Sequence, residues 1–339
     1  MIRRLLAEAP TLPLLAAVVA GILLFFPPDF QQPSLPFVGR AADNMLALRD
    51  ILLSQYRAAG ISDEAYAVLS AMTLGDKTAL TDNVRQLFND TGASHILALS
   101  GLHLGMVYMV LSLLVPCRRW RMVSQVVTIL GIWMYAFLTG LSPSIVRSAT
   151  MLTIYGIMSV GYRERMSLNV LSFTAFCMLV VSPVSLYNAG FQMSFLAVAA
   201  ILMFHPLING IIPAHIQQSH TVLRWLWGMT TVSLSAQIGV APLIAFYFHR
   251  FSTYFLLSNF VVVPCAWLVL MGSLLFFATH LTVVAWGLSA TVGCMLALLG
   301  SIASLPASTI GGLYPNVAQT VLAYLFIICI YIAARAVSR

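Results

Sequence analysis

Within one largely apolar stretch, residues 92–108 (GASHILALSGLHLGMVY), the chain places two histidines, serines and paired glycines. Such groups are costly in hydrocarbon unless they pack on other helices or line a wet path. Ser100 and His103 stand three residues apart, within reach of each other on a helix face. A serine hydroxyl beside an imidazole could act as nucleophile and base, with His205 or His249 as other candidate bases. A helix-neighbour pair is, however, poor geometry for general-base action. The pair therefore reads as a polar ridge along a translocation path or as hydrogen bonding that merely holds helices together. Ser94, Ala98, Gly101 and Gly105 fall on one stripe, and the GxxxG pair within it is expected to admit another backbone closely.

Arg147 is the one charged side chain expected deep inside an apolar span. It follows Leu141-Ser142-Pro143-Ser144, in which Ser142 is placed as helix N-cap and Pro143 as first helical residue. The guanidinium then sits roughly 6–8 Å along the axis from the cap. No span supplies an acidic partner. Lipid phosphate, backbone carbonyls, an acidic segment elsewhere or a visiting anion must serve instead. A positive helix end plus an arginine has the makings of a phosphate site; snorkelling or structural pairing is the competing reading.

Further polar points within apolar runs are Asn188, Gln192 and Ser194 in NAGFQMS, Ser233, Ser235 and Gln237 before Pro242, and Asn259 before Pro264. Uncharged amides and hydroxyls can line a wet path or cross-link helices, and singly they are more often cross-links. His205, His215, His220, His249 and His280 are scattered, none paired with Asp or Glu at a metal-ligand spacing. No HxHxDH, HExxH or P-loop pattern occurs. Hydrolysis driven by metal or nucleotide has no visible seat, and no cofactor is expected. The five cysteines are far apart and form no CxxC, so they read as small hydrophobic fillers.

The elements that must position these residues follow from composition. Of 339 residues 60% are hydrophobic and 8% charged, against about a quarter charged in soluble domains. The chain is therefore read as an all-α polytopic membrane protein, and a soluble function is excluded. Apolar windows of spanning length lie at 11–26, 95–115, 122–140, 144–161, 167–183, 189–208, 225–248, 254–280, 282–303 and 317–335. They predict a bundle of about ten transmembrane helices. The window 254–280 is long and interrupted by Pro264; a broken or re-entrant helix there would reverse everything downstream. Arg3 and Arg4 precede the first window, but Pro27-Pro28-Asp29 offers no small-x-small cleavage site, so an uncleaved span is expected over 1–26.

Charge orients the bundle. Arg118, Arg119 and Arg121 occupy one short loop, Arg163 and Arg165 another, and Arg224 borders a third. Placing these in the cytoplasm also puts Arg3, Arg4, Arg335 and Arg339 inside, with both termini cytoplasmic. All acidic residues except Glu8 and Glu164 fall between 27 and 94, a segment then outside the membrane. There Met45, Leu48, Leu52 and Tyr56 recur on one helix face. Ser62 is placed to cap a second helix ending at Gly75, and Thr81 a third ending at Gly92. These short amphipathic helices could lie on the membrane surface or against the bundle. The multi-helix membrane domain proper is expected over 95–339.

Four ordered stretches carry a family resemblance. The segment 92–103 resembles the G-x-x-H-x-x-x-x-SG-x-H signature of the ComEC family of competence proteins, with MTLGDKTAL at 72–80 leading into it. LTGLSPSIVRSATM at 138–151 is similar to the family's G-x-S-P-S-x-x-R element and carries Arg147. AGFQMSFLAV at 189–198 is similar to its G-[FY]-Q-L-S-F-x-A element, and APLIAFYFHRFSTYFLLSNFVVVP at 241–264 to its late helix pair. Full-length members look like an oligonucleotide-binding fold, this membrane domain and a metallo-β-lactamase-like nuclease. Here 27–94 is too short for the first and the chain ends where the third would begin, so the conduit alone is expected.

The resemblance implies a channel subunit for single-stranded DNA in the bacterial cytoplasmic membrane, with no catalytic role. A cytoplasmic ATPase motor, an outer DNA receptor and a nuclease would be separate partners, with membrane lipid around the bundle. The path is expected to touch Ser100, His103, Ser142, Ser144, Arg147, Asn188, Gln192, Ser194, Gln237 and Asn259. Gly101 and Gly105 are expected to pack helices. Phosphates would leave past Arg118, Arg119, Arg121, Arg163 and Arg165, because dispersed cations let an anion move on. Bases could stack on Tyr135, Phe191 or Tyr254. The rivals are a small-solute or lipid transporter on the same scaffold and an intramembrane Ser/His hydrolase.

Overall fold

The computed structural model describes Val19 and residues 39–114, 121–161 and 168–337. Apart from Val19, the expected span 11–26 lies outside the described residues, as do Arg3, Arg4, Arg118, Arg119, Arg163, Arg165 and Arg339. Fourteen helices are assigned among the described residues: α1 (Gly39–Ala58), α2 (Asp63–Leu69), α3 (Asp82–Asp90), α4 (Ser94–Leu97), α5 (Gly101–Leu114), α6 (Arg121–Leu138), α7 (Pro143–Gly161), α8 (Leu168–Val181), α9 (Ala189–Asn209), α10 (Ala214–Ser219), α11 (Thr221–Phe248), α12 (Phe255–Thr279), α13 (Thr282–Ala303) and α14 (Val317–Val337). Two short strands, β1 (Arg250–Ser252) and β2 (Thr309–Gly311), pair antiparallel with Phe251 opposite Ile310.

Among the described residues, five helices are long and apolar enough to cross a membrane: α9, α11, α12, α13 and α14. The shorter apolar helices α5, α6 and α8 accompany them. The protein is thus a multi-pass, all-helical membrane protein, with helix boundaries from α6 onward within a few residues of the hydropathy windows. The 254–280 window is one continuous helix, α12, running through Pro264. Proline removes one backbone donor and frees one carbonyl, a defect that transmembrane helices tolerate.

The 95–115 window is different. Its helix is interrupted: α4 stops at Leu97, Ala98 is extended (φ −85°, ψ 115°), and α5 starts afresh at Gly101. Ser100 occupies the N-cap position, its carbonyl accepting the first i→i+4 bond from Leu104 N–H at 3.3 Å. A local capping signal therefore overrides the hydropathy average.

The described residues form two compact units. The first comprises those of Gln32–Arg165 and Phe260–Ser308. At its centre α2 continues into a π-helical turn, Ser70–Leu74, and every residue from Ala65 to Leu74 is buried. Of the two placements expected for this segment it takes the one against other helices, and its buried Ser70 and Thr73 hydroxyls donate to the Ala67 and Leu69 carbonyls. Ser62 stands at its N-cap position but makes no side-chain cap bond. Gly75 closes it in the left-handed conformation (φ 75°), where a Cβ would stand 2.8 Å from Leu99 Cδ1 and 3.0 Å from the Thr139 carbonyl.

Around this buried helix, α2 and α3 pack along α13, whose inward residues Ala285, Leu288, Val292, Met295, Leu299 and Ile302 repeat at alternating three- and four-residue steps. Tyr56 of α1 stacks on Phe276 at 5.6 Å between centroids and meets Phe277 at 4.9 Å. Thr81 does cap α3, accepting the Val84 N–H at 3.4 Å. In α1 the inward face is turned from the expected one. Leu53 and Tyr56 are buried, Leu48 is 43% exposed, and Arg49 points inward against Gly140 together with Leu46.

The second unit holds the described residues of Met1–Gln31, Met166–Asn259 and Thr309–Arg339. Here α9 and α11 run closely together, because Gly239 leaves room: a Cβ on it would stand 2.5 Å from Ala200 Cβ and 2.6 Å from the Leu196 carbonyl. From α14, the Tyr324 hydroxyl donates to the Gly239 carbonyl at 2.9 Å, and Tyr331 meets Phe204 edge-on at 5.4 Å. His249 ends α11 with a left-handed φ of 55°. Its Nδ1 lies 3.1 Å from the Leu313 carbonyl and its ring 4.5 Å from that of Tyr314.

Candidate functional site

In the first unit, α5 starts after a break and α7 after a tight turn, and each carries one buried nitrogen-bearing side chain near its start, His103 and Arg147. Ser100 N–H donates to His103 Nδ1 at 3.4 Å, and Ser100 Oγ lies 3.2 Å from the same nitrogen. A backbone N–H can only donate, so Nδ1 carries the lone pair and the proton resides on Nε2. The arrangement is the returning half of a capping box, with histidine in the place that Glu or Gln usually takes. His103 is 1% exposed, and among the described residues its Nε2 has no partner.

Helices α5 and α7 meet where Gly101 faces Ser148: a Cβ on Gly101 would stand 3.0 Å from Ser148 Oγ. The second glycine of the expected GxxxG pair does not share this contact. A Cβ on Gly105 would meet nothing within 4 Å, and Ser94 and Ala98 stand before the break. The break takes Ser94 and Ala98 off the α5 face, while Gly105, one turn beyond Gly101 on the same helix, faces open space.

Arg147 precedes Ser148 on α7. It is 7% exposed, and its Nε is buried without a partner among the described residues. Ser142 sits where the sequence placed the N-cap, its carbonyl accepting from Val146 N–H at 3.0 Å. Its Oγ, however, is buried without a partner rather than closing the helix. Ser144 contributes its carbonyl to Ser148 Oγ at 3.0 Å. Helix side chains lean toward the N-terminus, the end of α7 at which this turn lies. Buried polar groups normally find partners; here the unmatched groups His103 Nε2 and Arg147 Nε are both N–H donors.

The second unit holds the other expected residues, and several are already occupied. Asn188 caps α9, its Oδ1 accepting the Phe191 N–H at 3.1 Å. Gln192 uses both ends of its amide: Nε2 donates to the Leu186 carbonyl at 2.8 Å, and Oε1 accepts from the Tyr247 hydroxyl at 3.0 Å. These two residues cross-link structure. Ser194 and Gln237 are half-buried on α9 and α11. Asn259 Nδ2 donates to Ser233 Oγ at 3.2 Å, while Asn259 Oδ1 and the neighbouring Ser258 Oγ are buried without partners among the described residues.

Two of the aromatics considered for base stacking are committed elsewhere. The Tyr135 hydroxyl donates to the Thr73 carbonyl at 2.8 Å, and Phe191 is buried with its ring 4.5 Å from that of Phe195. Tyr254 is half-buried. Sequence reasoning passed over Arg49. Its Nη1 lies 3.4 Å from where a Cβ on Gly140 would stand, its Nε is buried without a hydrogen bond, and Asp50 is 3.8 Å away. The spacing Leu46, Arg49, Leu53, Tyr56 was the available signal, masked because arginine counts as polar in any periodicity reading. Among the described residues no three His, Cys, Asp or Glu side chains gather as a metal site.

Comparison with known proteins completes the picture. The chain is 30% identical to "ComE operon protein 3" of Bacillus subtilis (strain 168) over 231 residues, 65% of this chain and 27% of that protein. It is 33% identical to an uncharacterized protein of Aquifex aeolicus (strain VF5) over 205 residues, 58% of this chain and 44% of the relative. It is 22% identical to "Recombination protein 2" of Haemophilus influenzae over 232 residues, 66% of this chain and 29% of the relative. The chain thus spans less than half the length of these curated relatives. No solved structure matches it. The Competence protein family model matches residues 72–336, a stretch that takes in the α5 start, Arg147 and the α9–α11 pair, and the chain belongs to that family.

Proposed function

We propose that this chain is a membrane conduit for single-stranded DNA in natural transformation, with a translocating rather than a catalytic role. The family match and the likeness to "ComE operon protein 3" support the assignment to DNA uptake. The observation that carries the finer reading is the pair of buried, unmatched N–H donors, His103 Nε2 and Arg147 Nε, on two helices that touch at Gly101 and Ser148. Residues 94–161 contain no Asp or Glu to accept from them. A phosphodiester passing this point supplies the acceptor, and separate sites elsewhere keep the strand from being held too tightly.

In this reading residues 1–26 form a first span, 27–94 lie on the extracytoplasmic side of the bacterial inner membrane, and 95–339 form the conduit, with both termini cytoplasmic. The arginine-bearing loops support that orientation. A cytoplasmic motor, an outer DNA receptor and a nuclease activity act with it.

The test is transformation frequency in a clean deletion strain, complemented with the wild-type chain or with Arg147→Ala at equal membrane abundance. Wild type restores transformation and R147A does so at least about tenfold less, the equivalent of 1.4 kcal/mol in a binding step. A deletion with undiminished transformation, or flux of a small solute restored instead, would refute the conduit reading.

A further inference from the structure

A second arginine stands over the same turn, from a different element. Gly140 (φ 77°) and Leu141 (φ 50°) form the left-handed pair that turns α6 into α7. Arg49 of α1 lies across Gly140 with Nη1 3.4 Å from the position a Cβ there would take, an ordinary van der Waals contact. Its Nε is buried without a hydrogen bond. The carboxylate beside it, Asp50, is 3.8 Å away with its side chain 71% exposed, a screened and weak pairing.

The turn offers more to an anion than the two guanidinium groups. Ser142 Oγ is buried and unpartnered among the described residues. The first turn of α7 leaves the backbone N–H groups of Ser144 and Ile145 without intrahelical acceptors, while Pro143 has none to offer. Arg147, one turn further along α7, is 7% exposed and its Nε is unpartnered among the described residues. Donors from α1, from the turn and from α7 thus belong to one end of α7, where Asp50 is the carboxylate beside Arg49 and residues 94–161 contribute none. A tetrahedral oxyanion with several acceptor oxygens matches that set better than a carbonyl, which could satisfy one or two of them.

We infer that Arg49 and Arg147 jointly hold one phosphodiester group at the start of α7, Arg49 from α1 across Gly140 and Arg147 from within the helix. The inference rests on the conduit reading and adds to it a second binding residue. It also gives α1 a functional role, since this helix carries to the turn a cation that α7 cannot supply from its own sequence.

The experiment uses the full chain in phosphatidylcholine nanodiscs and a fluorescent oligothymidylate, with affinity followed against salt concentration. Each single-strand phosphate contact contributes about 0.7 to the slope of log affinity against log salt. Arg49→Ala and Arg147→Ala are each expected to lower the slope by about 0.7, whereas Arg49→Lys keeps it. Arg49→Gln, which preserves side-chain length, reads the same loss should the alanine variant fail to fold. A wild-type slope in both R49A and R49Q, with R147A reduced, overturns the paired site and leaves the conduit reading standing. Discs containing phosphatidylglycerol distinguish the other source of the same group: if R49A loses retained anionic lipid but binds oligonucleotide as wild type does, the site belongs to a headgroup and the inference falls. Absence of oligonucleotide binding by the wild-type chain, together with normal transformation in the deletion strain, sinks the conduit reading itself.

Discussion

The Tyr135 hydroxyl donates to the backbone carbonyl of Thr73 at 2.8 Å, joining positions 62 residues apart. Thr73 Oγ1 in turn donates to the Leu69 carbonyl at 2.6 Å, so its contact with the Tyr56 hydroxyl at 3.3 Å is one in which the tyrosine donates. Two tyrosines from α1 and α6 thereby close the end of a buried helix that has no water to solvate its last carbonyls.

Replacing Tyr135 with Phe strips the Thr73 carbonyl of that donor while keeping the ring. The expected loss is about 1–3 kcal/mol, the desolvation penalty of a buried unsatisfied group. Thermal unfolding in detergent should show a lower midpoint for Y135F. An unchanged midpoint would mean the bond contributes nothing.

His103→Gln should be tolerated in stability, because Gln at this place can accept from the Ser100 N–H as histidine does. His103→Leu cannot, and is expected to lose about 0.5–2 kcal/mol, the range for a lost cap. The two variants compared by thermal melting separate capping from bulk: equal losses would remove the capping role.

Glycines on one helix should respond oppositely. Gly239→Ala drives a methyl group into Ala200 and the Leu196 backbone, an overpacked contact expected to lose about 1–3 kcal/mol. Gly228→Ala meets nothing within 4 Å and should gain up to about 1 kcal/mol from helix propensity. Melting temperatures of the two variants check the pair; a stabilising G239A would contradict the close approach of α9 and α11.

Much of the helical layout was legible from hydrophobic runs alone. Helices α9, α11, α12, α13 and α14 follow the windows closely, since a segment of that length and apolarity can satisfy its backbone only as a helix. Helix-end residues were legible where their spacing is local: Thr81 before α3 and Gly75 after the π turn. A Cβ at Gly101 would stand 3.0 Å from Ser148 Oγ, and Arg147 Nε is buried without a partner among the described residues.

Other features depend on partners distant in sequence. The Ala65–Leu74 segment is short and begins with Asp63 and Glu64, so its own residues suggest a surface helix; burial comes from α13 and the tyrosines that enclose it. Arg49 scores as polar, and its packing against Gly140 joins positions far apart in the sequence. Gln192 and Asn188 could have lined a passage, but Tyr247, Leu186 and the α9 cap consume their hydrogen-bonding groups. Sequence by itself determined that these helices form, because hydrophobic runs and caps act within a turn or two of the chain. Which polar atoms remain unmatched was decided by tertiary structure, because a hydrogen bond is satisfied in space, by whichever group the fold brings to it.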